Sequence, residues 1–561
     1  MAARKPSLSE RFARLMRLRD PDDPLSSVQA TTRWAEHLPL GDALKAQTEI
    51  LVEVKRYNDE DAPRSKERLL ILMLLDEKGQ HTQAVLSRQY LRNPRMSRSV
   101  ESQLWHAIYH LNWEILRAYH GYLIEYARNP GKSRIKAMVP MITLRALRGF
   151  RRAIKWRSIR YLHAGTKTWA RLHQLYQLAE TQGFHKTRLL AYPDDAQEST
   201  CEGEYLHTLM LEQSNIASLY PRQIDLIDTW LTGWRDLLEL ERTLDIERHV
   251  LAVDFTKDHG AKRVRDDDPD LSARYWSTQP LLDKLKTLQA SLHAGIAPAR
   301  LGLTEHVRVS ESLELLEHLA RQWAPLSAHE KRRAPRKPVK KIVEIVHGLA
   351  AALVQIRADA AGEGSGQPKE RMDYDDHTSL GIYGFVTNRS LNRPPYASAQ
   401  KPETSEIERW VVEDESEHGF GANIEALDKD WLRIGMLVGV RADKSAGWSL
   451  GVIRRLARQS DTESSVGIET LPGRPREILL YTRQAQAYTV DGMGHGKASN
   501  GIACLLFDEG RDPPSIVMDP LHYQRKSIVE YRQGEANLTI QLDDPIDHGE
   551  GWIRVGLTRL G

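Results

Sequence analysis

Ile407–Gly419 reads Ile-Glu-Arg-Trp-Val-Val-Glu-Asp-Glu-Ser-Glu-His-Gly. Its first half, Ile407–Val412, is rich in β-branched and aromatic residues and reads as a strand. Its second half, Asp414–Gly419, spells D-x-S-x-x-G. Upstream, Arg389-Ser-Leu-Asn-Arg393 forms an R-x-x-x-R pair, and Asp414 follows its second arginine by 21 residues. Only that one strand is expected between the two motifs, so folding can bring guanidiniums, carboxylate and hydroxyl together. Strand signals continue beyond Gly419. Leu437–Arg441 (LVGVR) and the alternating Trp448, Leu450 and Val452 come next, followed by Val466–Glu469 and Glu477–Tyr481. Ile502–Phe507, Ser515–Met518, Asn537–Gln541 and Trp552–Leu557 extend the series. Short strands separated by Gly, Asp and Pro predict an antiparallel barrel or sandwich.

Before about residue 370 the apolar period is helical. Val100, Leu104, Ile108, Leu111, Ile115, Tyr119, Leu123 and Tyr126 fall three or four apart and predict a helix over Ser97–Arg128, with Ser97 or Ser99 as cap. The same spacing recurs in Pro221–Glu239, at Leu281, Leu285 and Leu288, and from Leu313 to Trp323. Ile342, Ile345, Val346, Leu349, Leu353 and Ile356 predict a last helix. The stretch AGEGSGQ at Ala361–Gln367 then reads as a flexible tether. No fixed repeat period is present. The fold class is multi-domain α + β, an α-helical array followed by a C-terminal antiparallel β-barrel with a β extension.

The 561 residues allow several domains. Lys+Arg 79 against Asp+Glu 76 leaves a net charge of +3, which implies no polyanion partner for the chain as a whole. No apolar run reaches the roughly 18 residues of a membrane span, and Met1–Asp20 lacks the apolar core of a secretory leader. Cys201 and Cys504 lie far apart, which excludes a disulfide scaffold and suits a reducing cytoplasm.

Catalytic signals are absent from the motifs. His106 and His110 have the spacing of two zinc ligands on a helix, but Ala107 stands where a metalloprotease needs glutamate. Asp491–Gly501 departs from a P-loop at Asp491 and Ala498. Asp266–Asp268 lacks calcium-loop spacing. The expectation is no enzyme, no metal and no cofactor. Two basic segments stand out. Arg145, Arg148, Arg152 and Lys155 form a positive stripe that would suit nucleic acid or anionic lipid, or else a face paired with an acidic helix. Lys331–Lys341 carries seven basic residues in eleven and reads as a charged hinge.

Two arginines suit phosphate oxygens and the O6/N7 edge of guanine. A carboxylate at a strand end accepts from guanine N1–H and its amine, and a serine hydroxyl adapts to either role. In this order the motifs resemble the PilZ domain, a bacterial receptor module for cyclic di-GMP. Gly435–Val440, Trp448–Leu456 and Val466–Glu469 occupy the places of its later strands. The resemblance implies that Arg389 and Arg393 clamp phosphates and guanine edges, that Asp414 and Ser416 contact a second guanine face, and that Gly419 holds the turn. It divides the chain into 1–360, a helical scaffold, 361–375, a linker, 376–480, a PilZ-like barrel, and 481–561, a further β domain or barrel extension. A long helical region ahead of a PilZ module is similar to FimW-type attachment receptors. The implied protein is a cytoplasmic cyclic-di-GMP receptor governing attachment, motility or pili, with cyclic di-GMP as ligand, an unnamed protein partner on the helices, and no nucleic acid. The alternatives are a nucleotide-independent scaffold with a degenerate barrel, and a nucleic-acid or anionic-membrane binder acting through helix 145–160.

Overall fold

The computed structural model describes residues 23–93, 96–264, 272–304, 306–325, 336–360, 407–425, 429, 431–442, 447–459, 462–482, 501–508, 513–533 and 536–560. The chain forms two compact units, Met1–Glu330 and Lys331–Gly561.

The first unit is a helical array. Its helices are α1 (Val28–Glu36), α2 (Ala43–Asp59), α3 (Lys66–Arg92), α4 (Arg98–Arg128), α5 (Val139–Ile159), α6 (Thr168–Thr181), α7 (Cys201–Glu212), α8 (Pro221–Trp234), α9 (Gln279–His293) and α10 (Val309–Trp323). Polar caps set the starts. Ser27, Asp42, Ser65, Ser97 and Thr200 each accept a backbone N–H from the first turn of the helix they precede. The apolar stripe of α4 is buried from Leu104 to Tyr126, as its spacing predicts. Val100, in the first turn, remains 40 % exposed. A small antiparallel sheet of β1 (Leu251–Asp254), β2 (Lys262–Arg263) and β3 (Ala273–Trp276), in the order β2-β1-β3, was not foreseen by the helical pattern.

One expectation fails where the second unit begins. The helix expected across Ile342–Ile356 is a strand, β4 (Lys337–His347), then Gly348 at φ +84°, then helix α11 (Leu349–Ala360). Ile342–Val346 (Ile-Val-Glu-Ile-Val) is a short, almost continuous apolar run, which periodicity alone does not assign to helix or strand. The β-branched Ile342, Val343, Ile345 and Val346 favour the strand, and Gly348 supplies the left-handed turn that ends it. β4 belongs to the β half of the molecule. The units therefore part at Glu330, and the tether expected at 361–375 falls inside the second unit and outside the described residues.

The second unit contains two closed antiparallel barrels. The first is built from β4, β5 (Glu408–Ser416), β6 (Gly419–Glu425), β7 (Leu437–Arg441), β8 (Ser449–Arg458) and β9 (Glu463–Thr470), in the order β4-β5-β6-β9-β8-β7. The second uses β10 (Arg476–Thr482), β11 (Ile502–Phe507), β12 (Ser515–Met518), β13 (Ile528–Gln533), β14 (Ala536–Gly549) and β15 (Trp552–Arg559), in the order β10-β11-β12-β15-β14-β13. Numbered within each barrel, both orders are 1-2-3-6-5-4, so the β extension repeats the threading of the first barrel. Closure leaves neither sheet an unpaired edge. α11 packs where the barrels meet. Its Leu349, Ala352 and Ile356 share one apolar cluster with Leu437 and Leu450 of the first barrel and Leu505 and Phe507 of the second.

Candidate ligand site

The D-x-S-x-x-G segment is the β5–β6 hairpin. Ser416 pairs with Gly419 across a two-residue loop, Glu417–His418. The Ser416 hydroxyl donates to the Gly419 carbonyl at 3.1 Å, and the Thr470 amide donates to the His418 carbonyl at 3.0 Å. Asp414 and Ser416 are two residues apart on a strand and so share a face. Opposite them on β6 stand Gly421 and Gly419. Gly421 in turn faces Gly467 of β9, and Gly467 faces Arg455 of β8. The outer face therefore holds a row of Asp414, Gly421, Gly467 and Arg455, a shelf without side chains at its centre, with Gly421 covered by the Asp414 carboxylate, Gly467 partly exposed and Arg455 exposed at the far end. At about 4.8 Å per strand the row spans about 14 Å.

Close approach of backbone requires Gly419, and a side chain crowds Gly421. A Cβ on Gly419 would lie 2.1 Å from the Ile468 carbonyl oxygen, and one on Gly421 would lie 3.0–3.1 Å from the Asp414 carboxylate. The Asp414 side chain therefore lies along the shelf.

Arg336, the residue before β4, brings the missing cation. Its Nη1 donates to both carboxylate oxygens of Asp414, at 2.7 and 3.1 Å. Beside it, Lys341 Nζ pairs with Glu415 Oε1 at 2.5 Å. Part of the Lys331–Lys341 cluster thus lies along β5, and what read as a hinge continues into a barrel strand. Arg336 also closes a second R-x-x-x-R, whose first arginine is Arg332. Of the several such pairs in the sequence, this one stands directly ahead of β4 and Arg389/Arg393 stands ahead of β5. The signal that could have selected the first was the β-branched run directly after it. Arg389 and Arg393 lie outside the described residues, as does Arg332.

The other sequence candidates are also resolved. The stripe on α5 faces inward. Arg145 pairs with Glu77 at 2.6 Å, Arg148 with Asp195 and Glu204 at 2.6 and 2.8 Å, and Lys155 with Asp225 and Asp228 at 2.6 and 2.7 Å. Arg151 pairs with Asp228 and Arg160 with Glu101. These buried cations offer nothing to a phosphate backbone or lipid surface, which corrects the alternative of a binder acting through helix 145–160. Burial works against the charge of Glu204, but Arg148, Arg151 and Arg235 overcome it and hold the carboxyl well below its usual range. His106 and His110 lie along one side of α4 with nitrogens 3.3 Å apart. Among the described residues no three His, Cys, Asp or Glu side chains are grouped to hold a metal. Asp266–Asp268 and all of Asp491–Gly501 except its last residue lie outside them. Among them, too, no helix is long and apolar enough to cross a membrane.

Comparison with known families agrees with this architecture. The model described as "Cyclic-di-GMP receptor FimW, N-terminal domain" matches residues 29–245, and "Cyclic-di-GMP receptor FimW, middle PilZ domain" matches residues 354–475. The chain is 24% identical over 517 residues to the cyclic-di-GMP receptor FimW of Pseudomonas aeruginosa, covering 83% of this chain and 81% of that protein. The chain is a FimW-like PilZ protein. The PilZ match includes the whole β5–β6 hairpin and the shelf behind it. It begins inside α11, so β4 and Arg336 lie ahead of it.

Proposed function

We propose that this FimW-like protein is a cytoplasmic receptor for cyclic di-GMP and has no catalytic role. The ligand lies on the shelf between Asp414 and Arg455. The observation that carries the reading is the Arg336–Asp414 contact on a glycine-floored hairpin within the PilZ match. Asp414 accepts from the N1–H and amine of one guanine. Ser416 adds an adjustable donor, and the partly exposed backbone of Gly467, without a side chain, lets a flat base lie close. Arg336, released from Asp414 by the guanine, turns to the phosphate oxygens. The clamping role expected of Arg389 and Arg393 passes to the pair ending at Arg336. The helical unit presents the surface that a protein partner reads, with attachment, motility or pili as output.

Titration calorimetry with cyclic di-GMP, GTP and cyclic di-AMP tests this. Selective binding is expected for the wild type, lost in Asp414→Ala. Losing a charge-assisted contact in Arg336→Ala weakens binding by about 10–100-fold. Arg389→Ala and Arg393→Ala retain affinity if the pair ending at Arg336 is the clamp, and lose it if the second pair is. No heat at about 100 µM ligand would leave a scaffold whose barrel keeps Arg336 on Asp414 permanently.

A further inference from the structure

Most cations of helix α5 are paired with carboxylates and Arg152 bonds the Gln80 amide oxygen at 2.6 Å, but Arg157 is held only by a backbone carbonyl. Its Nε donates to the His163 carbonyl at 2.6 Å, and among the described residues no carboxylate pairs with it. Arg171 of α6 has no carboxylate partner among them either. Both guanidiniums line a cavity of about 170 Å³ between α4, α5 and the start of α6.

The opposite wall is aromatic. Trp105, Tyr109 and Trp113 follow one another at intervals of four along α4. Tyr109 lies nearly parallel to Trp105 at 10° and to Trp113 at 13°, with centroids 4.7 and 6.4 Å apart. Tyr109 and Trp113 reach the cavity and are half-buried. Thr166 and Thr168 complete the polar side. The helix start nearby is already satisfied, because Asp258 accepts from the backbone amides of Lys167 and Ala170. Guanidiniums and hydroxyls are therefore the donors left for a ligand.

Size and charge select the ligand. A cavity of about 150 Å³ takes one benzene ring. Two unmatched guanidiniums beside an apolar wall favour an anion, and arginine pairs best with a planar carboxylate or a phosphate. We propose that this cavity binds an aryl anion, a single benzene-sized ring bearing a carboxylate or phosphate. The ring packs on Tyr109 and Trp113, and the anionic group lies between Arg157 and Arg171. Two sources share that chemistry, a free aromatic acid and a partner chain ending in an aromatic residue.

The test is calorimetry and ligand-detected NMR on the full chain with 4-hydroxybenzoate, phenyl phosphate and a short peptide ending in phenylalanine. Phenol, acetate and inorganic phosphate are the controls. Saturable binding of an aryl anion is expected, at least tenfold tighter than any control. Arg171→Ala weakens it by tenfold or more at an unchanged melting temperature, and Asp414→Ala leaves it unchanged. Tighter binding of the peptide assigns the site to a protein partner, and tighter binding of the free acid assigns it to a small molecule. Absence of saturable binding at about 10 mM overturns the proposal. So do phenol or inorganic phosphate binding as tightly as the aryl anions, and full affinity in Arg171→Ala.

Discussion

The indole N–H of Trp552 donates to the backbone carbonyl of Gly435 at 2.9 Å, fastening the second barrel to the loop that enters β7 of the first. Trp552 is fully buried, and Gly549 packs so close that a Cβ there would stand 2.2 Å from the same carbonyl oxygen. Arg454 pairs with Asp547, and Arg433 with Glu550 at 3.2 Å, along the same seam. The two barrels share a core and a set of polar contacts. The extension is thus part of the folded unit that carries the Asp414 hairpin.

Trp552→Phe should therefore destabilise both barrels together. It leaves the Gly435 carbonyl without its donor, at a cost of about 1–3 kcal/mol. Trp552→Ala also opens a cavity and costs about 3–5 kcal/mol. Guanidinium unfolding followed by fluorescence and by nucleotide binding reads both. Loss of the second barrel with an unchanged midpoint for ligand binding would refute the shared core.

Gly421 and Gly419 separate two consequences of adding a methyl group. At Gly421 the new Cβ meets only the Asp414 carboxylate, which can swing aside. Gly421→Ala is expected to weaken cyclic di-GMP by about tenfold or more while costing under about 1 kcal/mol of stability. At Gly419 the Cβ meets the Ile468 backbone carbonyl, and the hairpin must open. Gly419→Ala should lower the midpoint by several kcal/mol equivalents, on the order of 3 kcal/mol. Equal stability losses in a denaturant series would count against this division.

Much of this was legible in the sequence, and the illegible parts have physical causes. Trp448–Val452 and Val466–Glu469 declared themselves as strands because each buries one face. The D-x-S-x-x-G stood out through its order after an R-x-x-x-R and its resemblance to a family motif, and the structure makes it a hairpin with Ser416 paired to Gly419. Ile342–Val346 misled because Ile-Val-Glu-Ile-Val is a short, almost continuous apolar run, which periodicity does not assign to strand or helix, and it leads into a real helix from Leu349. The α5 stripe misled for a different reason. Its counter-charges come from afar, Asp195 lying 47 residues and Asp228 77 residues along the chain from their arginines. Local periodicity reports which face is charged and is silent about what covers it. The meeting of Arg336 with Asp414, 78 residues apart along the chain, likewise depended on β4 lying next to β5.

Glu204 holds the buried network of the helical unit together. It accepts from Arg148 Nε and Nη2 at 3.0 and 2.8 Å, from Arg235 Nη1 at 3.1 Å and from Ser199 Oγ at 3.0 Å, with no exposed surface. Glu204→Gln removes the charge while keeping the shape, taking from buried Arg235 its paired carboxylate and leaving Arg148 and Arg151 with Asp195 and Asp228 alone. The expected loss is about 3–5 kcal/mol. Asp59→Asn, which breaks the exposed pair with Arg117, should cost under about 1 kcal/mol. Urea unfolding of the two variants decides. Equal losses would mean that the network is solvated in solution.

His207 should make the helical unit sensitive to mild acid. Burial first, and Arg151 second, lower its pKa to about 4, against the pull of Asp228 whose Oδ1 lies 3.0 Å from Nε2. An unfolded histidine titrates near 6.5. Between those values the unfolded chain takes up a proton that the native one refuses, so stability falls as pH drops. Over 6.5 minus about 4 units the loss is on the order of 3 kcal/mol at 1.36 kcal/mol per unit. Glu204 and Asp228, held below their usual range, add a further loss below about pH 4. Asp76 and Glu202 act the other way, because burial raises them and the native state then takes up protons more readily. The comparison that isolates His207 is therefore the slope of unfolding free energy between pH 7 and 5 in the wild type and in His207→Asn. The variant is expected to be less stable at pH 7 and flatter across that range, since asparagine has no proton to refuse. Parallel slopes would show that His207 is protonated in the folded chain.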